Sequence, residues 1–173
     1  IFAKPPSVSQ TKTRLTKDIG SDKAQAIYKL SLSATHDTVK AFLKSTPHAA
    51  AYWSVAQIEG LTDYQWPSFE TIYQTGESFG HRLHNIYDSL LNRYKKVIII
   101  GTDSPLLSTE HLLKAHHSTE DFCLGPAYDG GYYLFSGTKR LPKSYWTDIS
   151  YSQDTTYKQT LNGLSGFSCL NLE

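Results

Sequence analysis

Apolar positions along the chain fall into two patterns, short β-like runs and longer stretches at helical spacing. Seven runs predict strands: IFA, AAAYWSVA, ETIYQ, KKVIII, DFCLGPA, GYYLFSG and FSCLNLE. Four stretches predict helices over residues 21–45, 79–94, 108–117 and 152–164. Because strands and helices alternate along the chain, the pattern is typical of an α/β fold with a mostly parallel sheet.

The spacing within two of these helices also predicts which face each helix buries. In the helix over 21–45, which Ser21 or Asp22 is expected to cap, the inward positions are Ile27, Leu30, Ala34, Thr38 and Phe42. In the helix over 79–94 the inward positions are Leu83, Ile86, Tyr87, Leu90 and Leu91.

Composition narrows this picture to a globular protein of ordinary size. The chain has 173 residues, of which 39% are hydrophobic and 19% charged, and its net charge is +1. These values suit a single domain over residues 1–173 and argue against nucleic-acid or membrane partners. No apolar run reaches the roughly 20 residues that span a bilayer. Cys123 and Cys169 favour buried thiols in a cytoplasmic protein, with a disulfide left open.

The strand that is predicted at Val97–Ile100 ends in chemically informative residues. Its continuous β-branched run fits a central parallel strand that is buried on both faces. Thr102 and Asp103 follow its carboxyl end, where ligands of open α/β sheets bind, and Pro105 stops the sheet ladder. A carboxylate there suits Mg²⁺ or Mn²⁺ shared with phosphates. The alternative is that Asp103 only caps a turn or the next helix.

Two further loops carry candidate ligand-binding residues. Lys4, Lys12 and Arg14 follow the first predicted strand and could cradle a diphosphate, although a solvated basic loop is the alternative. No Walker or Rossmann glycine pattern occurs in the chain. Asp129-Gly130-Gly131 lies between two strands, where it forms either a plain hairpin turn or a site with close backbone approach to a ligand.

Four motifs in order resemble one bacterial family of glycosyltransferase A-like proteins, the radical-SAM/selenodomain-associated transferases. They are F-A-K-x-P-x-x-G-x-x-K-T-R-L at Phe2–Leu15, G-x-x-x-G-x-R-L at Gly76–Leu83, G-T-D-x-P-x-L at Gly101–Leu107 and G-P-x-x-D-G-G-Y at Gly125–Tyr132. That family is similar to 2-phospholactate guanylyltransferase and to molybdenum-cofactor nucleotidyltransferases. The resemblance implies a nucleotide-diphospho-sugar transferase fold, a three-layer sandwich around a mostly parallel central sheet, with nucleotide binding through Lys12, Arg14 and Asp103.

The chain departs from the family pattern at three places. Ser9 replaces a glycine, Tyr151-Ser152 replaces Trp-Ser, and the chain ends before the family's C-terminal Asp-x-Asp. Because the chain also opens in mid-strand, we expect a sequence that is clipped at both ends. The departures favour an alternative in which the protein binds a nucleotide without catalysis.

A second alternative is a serine hydrolase. The segment Gly76–Gly80 matches the G-x-S-x-G nucleophile elbow, with Ser78 as the nucleophile, but its preceding strand is short and no histidine is marked as a partner. Helix histidines, His81 and His84 among them, are expected to be solvated rather than metal ligands because no third ligand accompanies them.

The sequence therefore predicts a metal-dependent glycosyltransferase or nucleotidyltransferase. Asp103 would hold Mg²⁺ or Mn²⁺, and Lys4, Lys12, Arg14 and Thr102 would bind the phosphates of a nucleotide or nucleotide-sugar. Asp129 would orient a small-molecule acceptor and is the first candidate for a general base. Gly130, Gly131 and Tyr132 would line that substrate's site. The oligomeric state stays open.

Overall fold

The computed structural model describes residues 1–6 and 13–173, with side chains over 1–6 and 15–173. Its strands are β1 (Phe2–Ala3), β2 (Tyr52–Val55), β3 (Glu70–Tyr73), β4 (Val97–Ile100), β5 (Phe122–Pro126), β6 (Tyr132–Gly137) and β7 (Cys169–Asn171). Its α-helices are α1 (Thr13–Ile19), α2 (Ser21–Ser45), α3 (Phe79–Leu91), α4 (Thr109–His117), α5 (Lys143–Thr147) and α6 (Thr156–Asn162). A 3-10 helix spans Ile58–Leu61. Among these helices, none is both long enough and apolar enough to cross a membrane.

The described residues group into two compact units, and the first comprises Ile1–Tyr73 with Gly101–Thr109. Its sheet has the order β1-β2-β3, and both strand pairs run parallel. The fully buried Trp53 of β2 lies at the centre of its apolar cluster, against Tyr28 and Leu32 of α2. The expected mostly parallel sheet is confirmed here, and its carboxyl edge places Lys4 directly after β1.

The second unit comprises Gln74–Ile100 and Glu110–Glu173, and its sheet has the order β4-β6-β5-β7. Strand β6 pairs antiparallel with β4 and with β5, whereas β5 and β7 run parallel. Aromatic residues dominate its interior: Tyr87, Phe135 and Trp146 pack together, with ring centroids of Phe135 and Trp146 4.9 Å apart. The second unit is therefore built on a mixed sheet.

The prediction that Val97–Ile100 is a central parallel strand needs correction on both counts, because β4 stands at one end of the strand order of its sheet and its pairing is antiparallel. The strand is buried as expected, with Val97, Ile99 and Ile100 all below 7% exposure. Its partner, however, is the antiparallel strand β6, where Ile99 faces Phe135. A continuous β-branched run reports burial of both faces but not strand direction, because the direction depends on how the β5–β6 hairpin folds back.

The buried face predicted for α2 is also wrong in part. Ile27 and Leu30 are 40% and 70% exposed, while Phe42 is buried as expected. The inward face instead runs through Ala24, Tyr28, Ser31, Leu32, Thr35, His36, Val39 and Phe42. A template that counts only aliphatic positions misses a face on which a tyrosine, a histidine and hydroxyl side chains point inward. For α3 the burial of Leu83, Ile86 and Tyr87 is confirmed.

Several local elements were missing from the sequence prediction. Helix α1 occupies part of the stretch that reads as a polar loop, and the five-residue α5 is too short for a periodic signal. Helix α2 begins after Gly20, which has a φ of 84°, and no side chain caps it.

Cys123 and Cys169 are free thiols, and burial, together with nearby Cys169, raises the pKa of Cys123 to about 11.

Candidate functional site

The end of β1 is held by one buried side chain of α2. The Tyr28 hydroxyl donates a hydrogen bond of 2.8 Å to the carbonyl oxygen of Lys4 and accepts one of 3.0 Å from the Lys4 amide. Tyr28 itself is 3% exposed, whereas the Lys4 side chain is exposed. The backbone of Lys4 is thus fixed while its ammonium group is presented to solvent at the carboxyl edge of the parallel sheet.

The same tyrosine contacts the segment that follows β4, Gly101–Thr109, which is the Asp103 segment. Burial raises the pKa of Tyr28, hydrogen bonds with the Thr102 side chain and the Lys4 backbone lower it, and the charge of Asp103 raises it again. Thr102 is 5% exposed, so its hydroxyl belongs to this buried contact, while Asp103 is exposed. The structure therefore places the Lys4 backbone and the Thr102 side chain at the Tyr28 hydroxyl, with the Asp103 charge near enough to act on it, and these residues form the Asp103 cluster of the first unit.

The other end of the Asp103 segment is also anchored on α2. The Thr38 hydroxyl donates to the carbonyl oxygen of Leu107 at 3.2 Å, and the Thr109 hydroxyl donates to the carbonyl oxygen of Thr38 at 3.4 Å. Within the segment the Leu107 amide closes a turn on the Ser104 carbonyl oxygen at 3.0 Å. Asp103 therefore lies on a loop whose two ends are fixed by one helix, with its carboxylate exposed between them.

Two of the predicted cations cannot be placed against this cluster. Lys12 lies outside the described residues, as does Ser9, one of the positions that depart from the family pattern. Arg14 lies in α1. The structure thus describes the side chains of Lys4, Thr102 and Asp103 among the predicted phosphate-binding residues, and phosphate binding stays a prediction for all of them.

In the second unit Asp129 forms part of the tight turn between β5 and β6. The Gly130 amide donates to the Ala127 carbonyl oxygen at 3.1 Å, and the Ala127 amide donates to the Gly131 carbonyl oxygen at 3.0 Å. One carboxylate oxygen of Asp129 accepts the Gly131 amide at 3.1 Å. The hairpin expected from Asp-Gly is confirmed, and the Asp129 side chain remains exposed.

The turn requires glycine at position 130 for two reasons. It has a φ of 82°, and a side chain there would overlap the backbone of Asp154. Its carbonyl oxygen also accepts the Tyr157 amide at 2.8 Å, which ties the turn to α6. Tyr132 follows in β6, where burial and the nearby Tyr151 hold its pKa well above the usual value. The turn is thus anchored to its own unit by backbone contacts.

Ser78 has the geometry of a helix cap. Its hydroxyl accepts the backbone amide of His81 at 3.3 Å and lies 2.8 Å from His81 Nδ1, at the start of α3. Its φ of −117° and ψ of 168° are ordinary extended values, unlike the strained backbone of a nucleophile elbow. Gly76 has a φ of 130°, and Gly80 packs against the Trp146 carbonyl oxygen. The glycines of this motif therefore serve chain geometry and helix packing.

A second serine and histidine pair occurs in the first unit. His36 Nε2 lies 3.0 Å from the Ser68 hydroxyl, and its Nδ1 lies 3.0 Å from a carboxylate oxygen of Asp37. The Asp37 side chain is 72% exposed, and the amide of Phe69, next to Ser68, is already bonded to the Pro67 carbonyl oxygen. The acid is solvated, and the Phe69 amide is not free to stabilise an oxyanion. This series of hydrogen bonds therefore attaches the loop before β3 to α2 rather than forming a catalytic triad.

The Asp103 cluster fits a cation that arrives with a phosphorylated ligand. Among the described residues, no group of three histidine, cysteine, aspartate or glutamate side chains is arranged to hold a metal. A single exposed carboxylate can nevertheless serve Mg²⁺ as a ligand, because Mg²⁺ keeps several waters and takes further oxygens from phosphates. Asp103 would therefore share the ion with a ligand rather than enclose it.

Two functional candidates escaped the sequence prediction, Tyr28 and Thr38. The sequence predicts Thr38 among the inward positions of its helix, and it predicts no role for Tyr28. The signal that could have found Tyr28 is the i, i+4 spacing of Ala24, Tyr28 and Leu32. Its contact with the Asp103 segment joins residues more than 70 positions apart, and no pattern in a single sequence reports such a pairing.

Comparisons with known proteins agree with this architecture. A family model described as "Uncharacterized protein conserved in bacteria (DUF2064)" matches residues 31–153. A 1.90 Å crystal structure from Desulfovibrio desulfuricans G20, described as a "putative nucleotide-diphospho-sugar transferase", superposes with a TM-score of 0.82 at 25% identity. The match covers 99% of this chain and 77% of that protein. No curated protein matches the chain.

Proposed function

Because the chain belongs to the DUF2064 family, whose description leaves activity open, we propose the function from its fold and its Asp103 cluster. The protein is a metal-dependent transferase that acts on a nucleotide or nucleotide-sugar and passes a group to a small-molecule acceptor. The observation that carries this proposal is Asp103, an exposed carboxylate that lies with exposed Lys4 around one buried tyrosine hydroxyl. The fold shared with a protein described as a nucleotide-diphospho-sugar transferase supports it.

Within this proposal Asp103 and Lys4 act on the phosphates of the bound nucleotide. Lys4 provides a positive point charge at the carboxyl edge of the parallel sheet, where ligands of open α/β sheets bind. Lys12 and Arg14 belong to the same proposal from the sequence motif alone. Bound Mg²⁺ or Mn²⁺ would neutralise phosphate charge in the transition state, with Asp103 as its protein ligand.

Asp129 has the second role in the proposal, toward the acceptor. One of its carboxylate oxygens is used by the Gly131 amide, and the side chain is exposed beside two glycines. A carboxylate held in this way could accept hydrogen bonds from acceptor hydroxyls, or a proton from one of them as a general base. Gly130, Gly131 and Tyr132 would line the same subsite. The finer kinship with glycosyltransferase A-like, radical-SAM/selenodomain-associated transferases is part of this proposal.

A thermal-shift screen tests the binding half of this proposal. GDP, UDP, CDP and ADP, together with their sugar nucleotides and triphosphates, are each added with and without Mn²⁺. Because a ligand that binds only the folded protein raises its melting temperature, we expect at least one nucleotide to stabilise the protein, and only with Mn²⁺ present. If no nucleotide raises the melting temperature in either condition, the proposal fails.

Product analysis then separates the reactions that the site leaves open. Release of a nucleoside diphosphate from a sugar nucleotide identifies glycosyl transfer, and release of pyrophosphate from a triphosphate identifies nucleotidyl transfer. Metal-dependent binding without either product, across a panel of sugar and hydroxy-acid acceptors, would instead identify a non-catalytic nucleotide-binding protein on the same fold.

A further inference from the structure

We propose that Tyr28 is a positioning residue of the nucleotide site, whose hydroxyl joins the end of β1 to the Asp103 segment and so sets where the Asp103 carboxylate lies. This inference rests on the proposed function for its consequence in binding. Its structural half concerns the order of residues 101–105, which can be measured without any ligand.

The argument begins with how completely the Tyr28 hydroxyl is used. A phenol has one proton to donate and two acceptor positions. The proton goes to the Lys4 carbonyl oxygen at 2.8 Å, and one acceptor position takes the Lys4 amide at 3.0 Å. The Thr102 side chain shares the same hydroxyl. One buried oxygen therefore satisfies partners from two chain segments that are about a hundred residues apart in sequence.

The ring alone cannot supply this connection. Tyr28 packs in the apolar cluster of the first unit with Leu32 and Trp53, and a phenylalanine would fill the same space. Removing only the hydroxyl would leave the Lys4 amide and carbonyl without their present partner and would release Thr102. Because partly buried polar groups without partners are costly, the released segments would shift toward water or other contacts. A shift at Thr102 moves the adjacent Asp103.

The position of a carboxylate matters at a metal and phosphate site. Mg²⁺ demands near-ideal octahedral geometry with oxygen distances close to 2.1 Å, so a small displacement of one ligand lowers affinity for the ion. Groups that fix the orientation of a metal ligand affect binding even though they do not touch the metal. Tyr28 is placed to have this effect on Asp103, while Thr38 holds only the far end of the segment, at Leu107.

The first experiment uses hydrogen exchange on the unliganded protein. Tyr28→Phe is compared with wild type and with Tyr145→Phe, which removes a hydroxyl that bonds to the Thr160 carbonyl oxygen in the second unit. In Tyr28→Phe we expect amide exchange at Lys4 and over residues 101–105 to accelerate by about ten-fold or more. Tyr145→Phe should leave both regions as in wild type. Unchanged exchange over 101–105 in Tyr28→Phe would overturn the proposal.

The second experiment measures calorimetric affinity for GDP and for UDP, each with and without Mn²⁺. Loss of one positioning hydrogen bond predicts roughly three- to ten-fold weaker binding by Tyr28→Phe in Mn²⁺, with little change in its absence. Equal losses with and without Mn²⁺ would contradict the positioning role.

The two experiments also separate this inference from the proposed function. If the wild-type protein binds neither nucleotide in Mn²⁺, the proposed function fails, and the exchange measurement still decides whether Tyr28 orders the Asp103 segment. If exchange is unaffected while wild-type binding is metal-dependent, the proposed function stands and the assignment of Tyr28 is wrong.

Discussion

The two candidate aspartates are held in place by opposite means. Asp103 lies on a loop whose ends are fixed by Tyr28 and Thr38, side chains of a helix far away in sequence. Asp129 lies in a turn that is closed by its own neighbours, through the Ala127, Gly130 and Gly131 backbone and its own carboxylate. The Asp103 segment is held by side chains of a helix distant in sequence, whereas the Asp129 turn is closed by local backbone bonds and then anchored by Gly130 to Asp154 and Tyr157.

This difference predicts how each region responds to substitution. A locally closed turn is sensitive to the conformational freedom of its residues and leaves the rest of the protein little affected when a side-chain contact is lost. A loop that is held by a distant helix depends less on the residue types within the loop. It loses order when the helix loses a hydroxyl that bonds to the loop. The substitutions below test this comparison, beginning with the largest expected effect.

Gly130→Ala should be the most damaging change in the Asp129 turn. The positive φ of 82° costs roughly 1–2 kcal/mol for alanine, and the overlap with the Asp154 backbone adds a similar or larger amount. We expect the free energy of unfolding to fall by about 2–5 kcal/mol in urea titrations. Gly166→Ala is the matched control, because Gly166 has a φ of 99° but no atom within 4 Å of the added carbon. Equal losses in the two variants would mean that packing on Asp154 contributes nothing.

Asp129→Ala tests whether the turn carries a catalytic group. If Asp129 orients the acceptor or accepts its proton, turnover should fall by about 100-fold or more, with kcat and kcat/KM reduced together. Metal-dependent nucleotide affinity should survive. Asp129→Asn is the control for the turn, because its amide oxygen can still accept the Gly131 amide while the charge is lost.

Three outcomes are then distinct for Asp129. Lowered stability with unchanged kinetics would reduce Asp129 to a turn residue. Loss of Mn²⁺-dependent nucleotide binding itself would make it a metal ligand rather than a residue that binds the acceptor. Unchanged turnover in both variants would discard the acceptor role.

Thr38→Val should have a smaller effect, at the other end of the Asp103 loop. It removes the hydroxyl that donates to the Leu107 carbonyl oxygen at 3.2 Å and preserves the shape of the side chain. One partly buried hydrogen bond contributes about 0.5–1.5 kcal/mol, so a modest fall in unfolding free energy is expected. Hydrogen exchange should accelerate over 107–109 but not over 101–103. Faster exchange along the whole loop would show that its two ends are not held independently.

Ser78→Ala should have the smallest effect on function, since Ser78 lies outside both regions. Loss of the helix cap at His81 costs about 1 kcal/mol of stability, and Ser78→Asp should restore it. Transferase turnover should be unchanged, and a fluorophosphonate probe should leave both Ser78 and Ser68 unlabelled. Covalent labelling of either serine would support the serine hydrolase alternative.

The sequence predicts local features of this protein better than contacts between distant segments. The Asp-Gly turn after β5 follows from residue types alone, because few dipeptides adopt its backbone geometry. The strand before Asp103 is also predictable, since a run of β-branched residues fits a buried strand. The antiparallel pairing of β4 with β6 is not, because burial does not encode direction. The contacts of the buried Tyr28 are not predictable either, because its hydroxyl bonds with residues that are far away in sequence.

The central claim is that Asp103 binds a metal ion together with nucleotide phosphates. Calorimetry of Asp103→Asn with Mn²⁺ and the nucleotide that stabilises the wild-type protein tests this most directly, because the variant keeps nearly the same side-chain volume while it loses the negative charge and one acceptor oxygen. The account predicts that Mn²⁺-dependent binding disappears while the melting temperature of the unliganded protein stays close to that of wild type. Equal Mn²⁺-dependent affinity in the variant and the wild-type protein would contradict it.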